Sequence, residues 1–70
     1  MATNQEDPRV ASHRFPLLTV VVEHAETLAE AEATATQWME ENALDGDYEL
    51  DDWTQDTVTP TTWHFHYVVK

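Results

Sequence analysis

The chain has no cysteine, and its 70 residues include one glycine, Gly46. The first absence excludes disulfide staples and thiolate metal sites and removes any need for an oxidising compartment. The second excludes a glycine-rich loop that cradles phosphates. Basic residues are almost missing as well. They are Arg9, Arg14 and Lys70, so the stretch from Phe15 to Val69 holds neither lysine nor arginine. Ordinary binding to DNA, RNA or anionic lipid requires basic side chains that displace counterions from phosphates, and this chain cannot supply them. The longest apolar run, Leu17 to Val22, is far too short to cross a bilayer. MATNQEDPRVASHRFP lacks the apolar h-region of a signal peptide or anchor. A soluble, cytoplasmic protein is the expectation.

What is abundant is negative charge. Fourteen acids give a net charge of −11; leaving out Glu6 and Asp7, twelve carboxylates fall between Phe15 and Val69. Seven of them lie in ENALDGDYELDDWTQD, residues 41–56. Any partner drawn in electrostatically should be basic. Such acidity often marks a disordered tail. Three tryptophans, two tyrosines and two phenylalanines argue for a core instead. At this length the core is thin, since a chain of this size hides only about 60% of its unfolded surface.

Apolar periodicity supplies the elements. Residues 1–13 are polar and aperiodic and are expected to form a flexible arm, with one domain over 14–70. Leu17 to Val22 is β-branched and apolar on both alternating faces, which predicts a strand. Thr27-Leu28-Ala29-Glu30 fits a capping box. After it, Leu28, Ala31, Ala35, Trp38, Met39 and Asn42 form one helical stripe, opposite Glu30, Ala33, Gln37, Glu40 and Glu41. Gly46 is the expected left-handed cap or turn residue. Tyr48 and Leu50 alternate with Asp47, Glu49 and Asp51 as in a half-exposed strand, and Trp53 breaks the parity unless a bulge sits at Asp51-Asp52. Thr62 to Val69 alternates strictly, with Trp63, Phe65, Tyr67 and Val69 on one face and His64, His66 and Val68 on the other. The fold class is therefore α+β with the order β-α-β-β. It predicts one helix on a three-stranded antiparallel sheet whose strands lie in the order first, third, second.

Little in the chain points to catalysis or cofactors. Asp45, Asp47, Glu49 and Asp51 imitate an EF-hand loop, but Leu50 stands where its turn glycine belongs, and Asp56 where its bidentate glutamate belongs. His64 and His66 share a strand face, but no third ligand is fixed by spacing. A Ser12-His13 pair lies in the expected arm and has no scaffold. No catalytic residue, metal or cofactor is assigned. Trp38 and Trp63 read as core. Trp53, beside Asp51-Asp52, has two readings, core or an exposed anchor of the kind enriched in binding hot spots.

Three explanations of the acids remain open. They could imitate nucleic acid: alternate strand residues lie about 6.5–7 Å apart, so Asp47, Glu49 and Asp51 would match every second phosphate of a DNA strand. They could serve solubility at high salt, as in a halophile. Or they could only steer a protein partner toward a strand edge and Trp53. In size, charge and the ENALDGDYELDD patch the chain resembles small acidic phage-encoded inhibitors, the anti-CRISPR and other DNA-mimic proteins. The resemblance implies a stoichiometric inhibitor in the host cytoplasm that occupies the basic DNA site of a CRISPR-Cas effector. The candidate partner-binding residues, chosen by charge and geometry, are Glu40, Glu41, Asp45, Asp47, Glu49, Asp51, Asp52, Trp53 and Asp56.

Overall fold

Strict alternation makes Trp63–Val69 a strand with one aromatic face, and that face needs a cover. The computed structural model, which describes residues 8–70, supplies it with one helix. The elements are β1 (Arg9–Arg14), β2 (Leu17–Val22), α1 (Leu28–Glu41), β3 (Tyr48–Gln55) and β4 (Trp63–Val69). β4 pairs antiparallel with β2 on one side and with β3 on the other. The core lies between sheet and helix: Leu18, Val20 and Val22 of β2, Trp63, Phe65 and Tyr67 of β4 and Tyr48 of β3 pack against Ala31, Ala35 and Met39 of α1. The Trp63 indole N–H donates to the carbonyl of Ala25 at 2.9 Å, so the largest ring is buried without losing a hydrogen bond.

The sheet has four strands, not the three expected, and its order is β1-β2-β4-β3. Among the three strands read from periodicity, the last does lie between the other two. The addition is β1, an edge strand on residues assigned to the flexible arm; residues 1–7 of that arm lie outside the described residues. β1 gives no periodic signal because all six of its side chains are exposed. It is also bulged between Val10 and Ser12, which shifts its alternation by one residue. Backbone pairing with β2, not burial, defines it. Ser12 and His13 therefore do have a scaffold, and His13 Nε2 meets the Tyr48 hydroxyl at 3.0 Å.

Thr27 caps α1 as expected, its hydroxyl accepting from the Glu30 N–H at 3.2 Å. The other end differs. No glycine has a positive φ; the left-handed residue is Ala43, at φ 58°. Its N–H donates to the Glu40 carbonyl at 3.1 Å, and the Leu44 N–H donates to the Met39 carbonyl at 2.8 Å. These two bonds make a Schellman closure, in which the residue just after the cap must turn left-handed so that the next one can reach the core. Leu44 does so, packing on the core cluster. Gly46 comes three residues too late for that role.

An alanine in left-handed backbone carries a steric cost of about 1–2 kcal/mol that glycine escapes, less the chain entropy glycine adds to the unfolded state. Ala43→Gly should therefore stabilise the fold by about 0.5–1 kcal/mol, raising Tm by several degrees. Gly46→Ala, whose added Cβ meets nothing within 4 Å, should stay within about 0.5 kcal/mol of the parent. Thermal melts of the two variants check this; equal shifts would refute the cap.

Candidate functional site

β3 is an outer strand of the sheet, and it carries the densest acids. Its register explains how they are displayed. Leu50 stands opposite Tyr67 and Asp52 opposite His66, so Asp51 is an extra residue and the strand is bulged there, at the position where Trp53 broke parity. Beyond the bulge, Trp53 regains the helix side, opposite Phe65. Glu49, Asp52 and Thr54 take the face away from the helix, opposite Val68, His66 and His64. The expected line of Asp47, Glu49 and Asp51 does not form. Asp47 precedes the strand and Asp51 sits in the bulge, so the match to every second phosphate is lost. Charge density remains; phosphate pitch does not.

Across the face away from the helix, charge is polarised. One transverse row reads Arg14, Leu17, Val68, Glu49, and the next reads Ser12, Thr19, His66, Asp52. Both arginines belong to β1, at the opposite edge from the acids of β3. Arg9 is also engaged, reaching Glu23 at 3.7 Å. Near the start of β3 the acidic surface continues onto the α1–β3 connection with Asp45 and Asp47, and onto the last turn of α1 with Glu40 and Glu41. All four are exposed. That last turn contains no basic residue, although the carbonyl end of a helix favours one. Lys70 interrupts the patch, its backbone N–H donating to the Asp47 carbonyl at 3.0 Å.

Asp56 stands apart. It follows the far end of β3, up to roughly 30 Å along the chain from Asp47 at about 3.3 Å per residue, and its oxygens are in use. Oδ2 accepts from the N–H groups of Val58 (3.0 Å) and Thr59 (2.7 Å), and Oδ1 faces His64 Nε2 at 3.3 Å. Asp56 organises the β3–β4 turn instead of offering a free charge. The N–H of Thr59 first, and His64 next, hold its carboxyl below the ordinary value of 3.8. His66 has its own contact, Nδ1 lying 3.2 Å from the Thr19 hydroxyl. Among the described residues no group of three histidine or acidic side chains is arranged to hold a metal ion.

Apolar surface accompanies the acids on β3. Trp53 is 40% exposed and Leu50 36%. The Trp53 ring leans on Trp63 at 5.7 Å between centroids, so it is braced on one side and open on the other, joining its two readings. Glu32, Thr36 and Met39 of α1, with Asp45, Tyr48, Leu50 and Tyr67, line a groove between the helix and β3. Sequence reasoning assigned Glu32 and Tyr67 no role. Only the packing of α1 over β4 brings them together, and spacing along the chain carries no trace of it.

No protein family, curated protein or solved structure matches the chain. No helix among the described residues is long and apolar enough to cross a membrane.

The Asp56 turn makes a pH-dependent prediction. Its carboxyl is depressed in the folded state, so its contribution is fully present above the ordinary value of 3.8 and is lost as pH falls through the lowered one. Asp56→Ala should melt a few degrees lower than the parent at neutral pH, and the gap should close below that value. Paired melts across the acid range measure it. A gap that persists with Asp56 protonated would show that the charge is irrelevant to the turn.

Proposed function

We infer that this chain is a stoichiometric protein inhibitor whose acidic β3 edge occupies the basic nucleic-acid site of a partner complex. The observation that carries the reading is the segregation of charge. Glu40, Glu41, Asp45, Asp47, Glu49, Asp51 and Asp52 are all exposed around one edge, where Lys70 alone among the described bases lies, while both arginines sit on the opposite strand. Acids that served only to keep a protein dissolved would have no reason to collect at a helix C-terminus, where they oppose the dipole.

The mechanism is competition. The carboxylates pair with Lys and Arg side chains that would otherwise hold phosphates, and DNA is excluded. Each exposed pair contributes about 0–1 kcal/mol, so charge alone gives loose binding. Trp53 and Leu50, exposed on the same strand, supply the desolvated contact that tight interfaces need. The reading requires no catalysis and no cofactor. Among basic complexes, the resemblance to DNA-mimic inhibitors favours a CRISPR-Cas effector.

A gel-shift assay tests this with guide-loaded effectors of several types and their target duplexes. The protein should displace DNA at near-equimolar ratio, and raised salt should weaken the inhibition. Glu49→Lys with Asp52→Lys should raise the inhibitory concentration at least about tenfold. Glu26→Lys with Glu30→Lys makes the same change in charge elsewhere and should have a much smaller effect. Unchanged DNA binding by every effector would reject the CRISPR assignment. Equal weakening by both pairs would favour acidity as a diffuse property.

A further inference from the structure

The groove between α1 and β3 has a volume of about 180 Å³. That is below the roughly 300–1,000 Å³ of sites that enclose a small-molecule ligand, but it can take one long side chain. Its chemistry is lopsided. Met39 and Leu50 give apolar surface, Tyr48 and Tyr67 give rings, and Glu32 of α1 and Asp45 of the α1–β3 connection contribute exposed carboxylates. Neither carboxylate joins an ion pair among the described residues. The groove is thus negative and partly aromatic, and no cation among the described residues pairs with its two carboxylates.

A second observation comes from Tyr67. The residue is only 7% exposed, yet its hydroxyl has no hydrogen-bond partner among the described residues. No enclosed polar side-chain atom among the described residues lacks a partner, so this oxygen is reached by solvent, at a residue that lines the groove. Burial, and then the nearby charge of Glu32, push this hydroxyl up to about 12. It is therefore protonated at any physiological pH, and its oxygen is open to a donor that displaces solvent.

We propose that the groove receives an arginine side chain of the partner protein, its guanidinium set between Glu32 and Asp45 with the Tyr67 oxygen accepting a further N–H. The aliphatic stem lies along Met39 and Leu50, and the planar head is offered the ring of Tyr48. Arginine suits this site better than lysine. It presents five donors in a plane, stacks on aromatic rings, and gives up hydration more readily than a compact ammonium. The proposal rests on the reading of the chain as a binder of basic proteins, and it names the side chain that the acidic edge anchors.

The test is a nuclear magnetic resonance titration of the intact protein with short, capped Gly/Ser peptides. They carry one central arginine, lysine or citrulline. The arginine peptide should move the signals of Met39, Leu50 and Tyr67 saturably, the lysine peptide should bind several-fold more weakly, and the citrulline peptide should leave the signals in place. Tyr67→Phe, which removes a hydroxyl without a partner, should melt like the parent and lower the affinity for arginine about tenfold. Glu32→Gln with Asp45→Asn should lower it at least as much. The proposal is overturned if lysine matches arginine, or if the shifts spread over Glu49 to Asp52 and ignore these variants. It is equally overturned if no saturable shift occurs. The gel-shift assay is independent: DNA displacement without groove binding rejects the arginine site alone, and groove binding without displacement rejects mimicry alone.

Discussion

Everything in this fold depends on covering the aromatic face of β4. A chain with no cysteine and a thin core has few ways to hold together. Here Trp63, Phe65 and Tyr67 meet α1 from a strand that is hydrogen-bonded along both edges. The small side chains of Ala31 and Ala35 let the helix settle close to that strand. With β4 central and β1 paired to β2, β3 is left as an outer strand, and its acids gain a free flank. The surface of interest is a by-product of where the rings are buried.

Stability and surface charge pull against each other at the end of α1. Glu40 and Glu41 stand where a base would be favoured, and the chain then turns left-handed at an alanine. Both features cost stability that a small domain can ill spare. The alanine only makes the closure less favourable than glycine would. The glutamates extend the negative surface from the β3 edge to the helix end. On this ground the two departures differ: the first has no evident compensation, and the second has one in the patch it builds.

How much of this was legible in the sequence follows from what each element buries. α1, β2 and β4 announce themselves because each hides a face, which leaves a period of 3.6 or 2 in the residue types. The bulge in β3 was legible for the same reason, since Trp53 stands one residue out of step with Leu50. β1 hides nothing and is bulged itself, so RVASHR reads as coil although its backbone is paired. The candidate site divides similarly. Exposed acids are visible from composition. Whether Asp56 is free, or tied to Val58, Thr59 and His64, depends on turn geometry; an aspartate shortly before Val58-Thr59-Pro60 was the available hint. The groove was beyond reach, because Glu32 and Tyr67 are 35 residues apart and meet only through packing.

The distinction between a diffuse acidic coat and a binding edge is finally one of range. Charges separated by solvent act over a Debye length, about 8 Å at physiological ionic strength, and salt weakens them without regard to their arrangement. A coat of acids works in that regime, and moving any one of them changes little. Contacts that expel water do not share this indifference. A braced, half-exposed Trp53 and a Tyr67 hydroxyl near Glu32 would act only on a partner that fits them. On the proposed reading, their presence on and beside the strand that gathers the acids would join long-range attraction to short-range discrimination on one edge. Evenly spread acidity, however strong, has no means to produce that combination.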